Sequence, residues 1–323
     1  MKVLNRSLPR FESIQEYDEM RLKLDVEVFK GVAFQIAERH HLPKERLQLF
    51  PDGTNVIFSY GPSRVIKLFQ PLLKGQFESE RLVLKNLQSK LSVPTPVPEF
   101  QGEFDGWPYL IMSKVEGETL ESIWVDLEFE NKVTLMREIG LLIREVHSLT
   151  VDGLEAIDSH WDQFIERQCS LCIRRHRNLN LKEELLAGIP TYLDKARQLL
   201  PRAFQPVLLT GEYTPFNLLV RKASNQWTLS GMVDFGDCML GFSEYDLLGP
   251  GAFLVQGDRR LLRELFISYG YKENELSPNL SQRLTALMLL HRFSNLKVQL
   301  RISDWESKVN CIDDLEKLVW NMN

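Results

Sequence analysis

"LLTGEYTPFNLLV", Leu208 to Val220, is an apolar run, a polar knot and a second apolar run. The knot carries Glu212 and, five residues on, Asn217. The flanks have the length and content of short buried strands, so the knot is a loop between strand ends. A second knot follows in "LSGMVDFGDCMLGFSEYDLLG" (229–249), where an apolar strand again ends in a carboxylate, Asp234. Together the strands suggest a hairpin that presents Glu212, Asn217 and Asp234 to one place. A carboxamide and a carboxylate on neighbouring strand ends suit a hard cation such as Mg²⁺, which phosphate oxygens and water usually complete. A carboxylate just before them can take the proton of an alcohol. Base, metal amide and metal carboxylate are together the equipment of phosphoryl transfer.

Outward from this stretch the chain changes texture once. Residues 24–41 carry apolar residues at helical spacing. "LQLF" (47–50), "NVIFSY" (55–60) and "RVIKLF" (64–69) read as strands separated by the turns "PDGT" and "GPS". "QFESERLVLKNLQSKL" (76–91) reads as a helix, "VPTPVPEF" (93–100) as a proline-punctuated loop and "PYLIM" (108–112) as a strand. Beyond Glu118 helical patterns dominate, at 130–149, 160–177, 181–199, 258–270, 278–302 and 304–322. The expected architecture is α+β in two lobes. Residues 1–113 form a small sheet-rich lobe with a leading helix at 24–41, and 114–323 form a helical lobe that holds the loop.

Composition narrows the classes. The 323 residues are 44% hydrophobic, enough for a large core, and a net charge of -5 points away from nucleic acid as a partner. The start lacks the apolar run of a signal peptide, and no segment approaches the roughly 18 apolar residues of a membrane span. With 4 cysteines a disulfide framework is not expected, and the chain reads as cytoplasmic.

In order along the chain, these segments resemble the aminoglycoside phosphotransferase family, within the protein-kinase-like fold. "TGEYTPFN" (210–217) is similar to the family's H-G-D-x-x-x-x-N loop, and "VDFGD" (233–237) to its metal segment. "DGTNVIFSYG" (52–61) resembles the turn that covers the phosphates, with Gly53, Thr54 and Asn55 at its tip. "VIKLF" (65–69) resembles the strand whose lysine, here Lys67, holds the α- and β-phosphates, and Glu80 falls where a helix glutamate pairs that lysine. "LIMSKVEGETL" (110–120) resembles the hinge that holds adenine, around Ser113 and Val115. "EVHSL" (145–149) resembles the close of the helix before the loop, and Asp246 falls at the family's buried aspartate.

The resemblance implies ATP or GTP between the lobes, Mg²⁺ on Asn217 and Asp234, and Glu212 as catalytic base. The partner would be a small molecule bearing a hydroxyl: an aminoglycoside, a sugar or an amino alcohol. Three positions depart from the pattern. The loop histidine is Thr210, the catalytic aspartate is Glu212, and Phe242 stands where the family often has aspartate. Glutamate reaches about 1.5 Å further, and misplacement of roughly 1 Å can cost on the order of 100-fold in rate. Either the loop is built around the longer side chain, or the protein is a nucleotide-binding pseudokinase. A protein kinase fits less well, since no A-P-E segment follows "DFG".

Other features have plainer readings. Alone, Lys67 could guard an edge strand, Glu80 could be a solvated helix residue and Gly53–Asn55 an ordinary hairpin turn. Cys169, Cys172 and His176 share a helical face without a second ligand pair, as expected of a packed face. "IRRHR" (173–177) reads as a solvated face.

Overall fold

The computed structural model describes residues 7–50, 53–224 and 226–322. Met1–Arg6 and the first half of the "PDGT" turn, Pro51 and Asp52, lie outside the described residues. The chain divides into two compact units. The first takes in residues up to Lys90, Pro94–Glu116 and Val233–Asp237. The second takes in Leu91–Val93, Gly117–Met232 and Cys238–Asn323. The expected boundary after 113 therefore shifts to Glu116, where the Lys114 amide still donates to Ser63 O (2.8 Å). Val233–Asp237 also groups with the first unit. Lys67 bonds Asp234, Ser79 bonds Phe235, and Gln76 bonds Asp237.

The first unit begins with α1 (Ile14–Met20) and α2 (Val26–Arg39). Strands β1 (Leu47–Phe50), β2 (Val56–Tyr60) and β3 (Arg64–Leu68) follow, then α3 (Lys74–Leu87), β4 (Pro98–Phe104) and β5 (Trp107–Ser113). The five strands form one antiparallel sheet in the order β1-β2-β3-β5-β4. Asp25 caps α2 by accepting from Glu27 N (3.1 Å), and the helix buries Phe29, Val32, Ala33, Ile36 and Ala37, one face at helical spacing. That face packs with Phe58, Tyr60, Ile66, Leu68, Tyr109 and Ile111. Because side chains alternate along a strand, Lys67 between Ile66 and Leu68 points to the opposite face. Residues 98–100, expected as loop, open β4 instead. Its half-buried and exposed positions alternate from Pro98, and proline is tolerated as the first residue of an edge strand.

The second unit begins with β6 (Glu118–Thr119), α4 (Leu120–Ile123), α5 (Phe129–His147), α6 (Trp161–Asn178) and α7 (Glu183–Ala196). Strands β7 (Val207–Leu209), β8 (Leu218–Ala223), β9 (Gln226–Met232) and β10 (Met239–Gly241) come next. The rest is helical: α8 (Leu248–Pro250), α9 (Arg259–Tyr269), α10 (Pro278–Leu290), α11 (Leu296–Gln299), α12 (Trp305–Lys308) and α13 (Ile312–Trp320). β8 and β9 form the expected hairpin, pairing Leu218 with Met232 at the end where Asn217 enters. β7 pairs with β10, so the loop Thr210–Asn217 leaves one small sheet and enters another. Among the described residues no helix is long and apolar enough to cross a membrane.

Two long helices expected from the sequence are broken. The 278–302 pattern ends at Leu290, because Arg292 N donates to the Tyr245 hydroxyl (3.0 Å) and the His291 ring stacks on Tyr245 at 4.6 Å. The 304–322 pattern splits into α12 and α13, where the Lys182 ammonium takes the carbonyls of Glu306 and Val309.

The join between β10 and the loop has no spare volume. A Cβ on Gly241 would collide with the Trp161 ring and with Leu209, the residue that leads into Thr210. Gly241→Ala is expected to lower stability by about 1–3 kcal/mol through overpacking, read as a fall in urea midpoint at constant slope.

Candidate active site

The first unit holds a buried charge cluster. Lys67, on the inner strand β3, is 2% exposed, and Glu80, on α3, is 1% exposed. The Lys67 ammonium donates to Glu80 Oε2 at 2.6 Å and to Asp234 Oδ1 at 2.9 Å. Burial opposes the ammonium, but the Asp234 and Glu80 carboxylates outweigh it and hold Lys67 above its ordinary value. Burial pushes Glu80 up to about 7 against the pull of Lys67. For Asp234 burial also pushes upward, and Lys67 overcomes it, leaving the carboxyl below its ordinary value. The Asp234 side chain, 41% exposed, is the member of this cluster that a further cation can reach. Asp234 also sits at φ 68, a left-handed conformation that non-glycine residues seldom adopt and that clusters at functional sites.

α3 fastens the metal segment by more than Glu80. Ser79 Oγ donates to Phe235 O (3.2 Å), Gln76 Nε2 to Asp237 Oδ2 (3.1 Å), and Asn55 Nδ2 to Gln76 Oε1 (3.1 Å). Gly236 lies so close to α3 that an added Cβ would stand 3.1 Å from Gln76 Cβ. Gln76 and Ser79 were not singled out in the sequence. The available signal was their spacing: with Glu80 and Val83 they form one helical stripe that continues as the apolar Leu84 and Leu87. Gly53, at φ 107, and Thr54 are exposed, whereas Asn55 is buried. Ser113 ends β5 with its hydroxyl accepting from Val97 N (2.9 Å), and Val115 is half-buried beyond it.

The second unit holds the loop. Asp246 braces it: Oδ2 accepts from Thr210 N (3.0 Å) and Oδ1 from Gly211 N (2.7 Å). His147 Nε2 stands 3.0 Å from Asp246 Oδ2, and its Nδ1 stands 3.0 Å from the Tyr269 hydroxyl. Thr210 is fully buried, and its hydroxyl accepts from Glu212 N (3.3 Å). Gly211 has φ 66, so the loop turns where a side chain would be strained. Glu212 and Asn217 are half-buried and bonded to each other, Asn217 Nδ2 to Glu212 Oε2 at 3.0 Å. An ionised carboxylate only accepts, so the NH₂ of Asn217 must face it and Oδ1 is left to meet a cation. The amide oxygen of Asn217 and the carboxylate of Asp234 are each a donor type that Mg²⁺ takes.

Among the described residues no group of three or more His, Cys, Asp or Glu gathers to hold an ion. Cys172 and His176 pack instead on α10, with Cys172 Sγ 3.5 Å and His176 Nε2 3.0 Å from Leu289 O. Asp246→Ala strands the buried Thr210 N–H, the half-buried Gly211 N–H and His147. It is expected to cost about 2–4 kcal/mol, measurable by chemical denaturation.

A family model described as the phosphotransferase enzyme family matches residues 52–278, the larger part of the chain. Solved structures share the fold. The GDP complex of wild-type aminoglycoside 2'-phosphotransferase-IIIa superposes with a TM-score of 0.66 at 19% identity, over 90% of this chain and 97% of that one. The streptomycin–ATP complex of APH(2")-IIa gives 0.57 at 20% identity, over 84% and 91%. APH(3'')-Id from Streptomyces rimosus, with ADP and streptomycin, gives 0.58 at 18% identity, over 80% and 98%. Fold, motif order and family match agree: the protein-kinase-like α+β chain belongs to the phosphotransferase enzyme family.

Proposed function

We propose that the protein transfers the γ-phosphoryl group of ATP or GTP to a hydroxyl of a small molecule. The observation that carries this reading is the buried Lys67 ammonium held between Glu80 and Asp234. A buried lysine fixed by two acids is a poor core residue but a well-placed anchor for phosphate oxygens. Lys67 would bind the α- and β-phosphates, with Glu80 setting its position. Gly53, Thr54 and Asn55 would cover the phosphates, and the backbone around Ser113 and Val115 would meet the base. Asn217 Oδ1 and Asp234 would hold Mg²⁺, which when bound would neutralise phosphate charge. The nucleotides in the solved relatives, GDP, ADP and ATP, support this half of the reading.

Glu212 would accept the acceptor's proton. Among its partners is the Asn217 carboxamide, which donates to Oε2 and would orient the carboxylate as base. The transition state of phosphoryl transfer is loose, so orientation of the hydroxyl and charge neutralisation supply most of the acceleration. Within the loop, Phe216 is exposed and the Arg301 guanidinium lies 5.6 Å from its ring centroid. Arg301 is tied to Glu121 by bonds of 2.6 and 3.1 Å. This neighbourhood is aromatic and charge-balanced, so sugars and amino alcohols belong in the acceptor panel beside aminoglycosides such as the streptomycin of the relatives.

The test is nucleotide turnover with Mg²⁺ against that panel. Acceptor-dependent turnover is expected, with Glu212→Gln lowering kcat by about 10²–10⁴-fold and leaving nucleotide affinity within about twofold. Glu212→Asp separates the two accounts of the longer side chain. A loop built around glutamate predicts a slower aspartate variant, whereas a weakened site predicts a faster one. Nucleotide binding with no turnover on any acceptor would instead identify a nucleotide-binding regulator.

A further inference from the structure

The turn expected to cover the phosphates is held by a part of the chain that the family model does not reach. That model begins at residue 52, and α1 lies before it. Tyr17 and Arg21, four residues apart and so on one helical face, both reach this turn. The Tyr17 hydroxyl donates to Thr54 O, and Arg21 Nη1 donates to Gly53 O. α1 is itself anchored to the β4–β5 hairpin. Leu8 N donates to Asp105 Oδ2, and Trp107 Nε1 donates to Pro9 O (3.0 Å). The Tyr17 ring is buried edge-on against Phe11 at 5.1 Å and Trp107 at 6.4 Å. Ser13 caps the helix by accepting from Glu16 N (3.1 Å).

These bonds fix more than position. In a trans peptide the N–H points opposite to the C=O of the same unit. With Gly53 O and Thr54 O drawn toward α1, the N–H groups of Thr54 and Asn55 are turned the other way. Two successive backbone N–H groups aimed to one side are anion donors. From the other flank Asn55 is held by Gln76, which also holds Asp237. Beside the turn the surface is concave. A cavity of about 160 Å³ lies there, lined by Tyr17, Arg21, Phe29, Phe50, Val56 and Phe58 among others.

We propose that Tyr17 and Arg21 are positioning residues that set the phosphate-covering turn, so that α1 contributes to recognition of the nucleotide's phosphates and not of its base. This rests on the nucleotide-site reading above. The test is calorimetric binding of ATP and of adenosine, with GTP and guanosine in parallel, to the parent and to the Tyr17→Phe/Arg21→Gln double variant. The Phe keeps the ring in its aromatic cluster, so the melting temperature should stay within about 2 °C. The expected result is an approximately tenfold rise in Kd for the triphosphate with the nucleoside unchanged. An unchanged triphosphate Kd overturns the proposal, and so does equal weakening of nucleoside and triphosphate, which would mark α1 as structural only. If the double variant fails to fold, half-buried Arg21→Gln alone carries the same comparison. A parent that binds the nucleoside but gains nothing from its phosphates would overturn this inference alone. A parent that binds neither would remove the nucleotide-site reading and this inference with it.

Discussion

A lysine ammonium with 2% exposure is the constraint around which the first unit is organised. An unpaired charge so buried would cost several kcal/mol, so the chain must supply acids to it. Glu80 does this from α3, which fixes that helix across the face of the sheet opposite to α2. Asp234 does it from a segment some 170 residues further along the sequence, and that single contact (2.9 Å) helps draw Val233–Asp237 into the first unit. The left-handed backbone at Asp234 and the close approach of Gly236 to Gln76 follow from seating this segment against α3.

The second unit repeats the principle with a different buried acid. Asp246, 2% exposed, gathers two loop amides and His147, and so fixes where Glu212 and Asn217 begin. Thr210 occupies the place where the family's loop carries histidine. Its hydroxyl serves the backbone of Glu212, and His147 reaches the same aspartate from the end of α5. Rigid support behind a loop matters because catalytic groups lose rate steeply when displaced by about 1 Å.

Much of this was legible in the sequence because each signal was local. Alternation around Lys67 marked β3, the two apolar runs around Glu212 marked β7 and β8, and the apolar stripe of 24–41 marked α2. The motif order then carried the fold. What escaped depended on partners distant in sequence. Nothing near His291 says that the Tyr245 hydroxyl will capture the next amide and end α10, or near Lys308 that Lys182 will interrupt the final helix. β4 was hidden because Pro98 and the prolines before it resemble a loop until the partner strand β5 is known. Gln76 and Ser79 were passed over because a polar residue on a helix reads as solvated until something polar is found against it.

Nucleotide binding decides whether the Lys67 cluster is a phosphate anchor or only a structural ion pair. The most direct measurement is calorimetric titration of Mg·ATP and Mg·GTP into the parent protein and into Lys67→Met, which keeps the length of the side chain and removes its charge. A phosphate anchor predicts saturable binding of at least one nucleotide to the parent, weakened at least about 100-fold in the variant while the variant stays folded. Equal affinity in both proteins, or no binding to the parent, would contradict it.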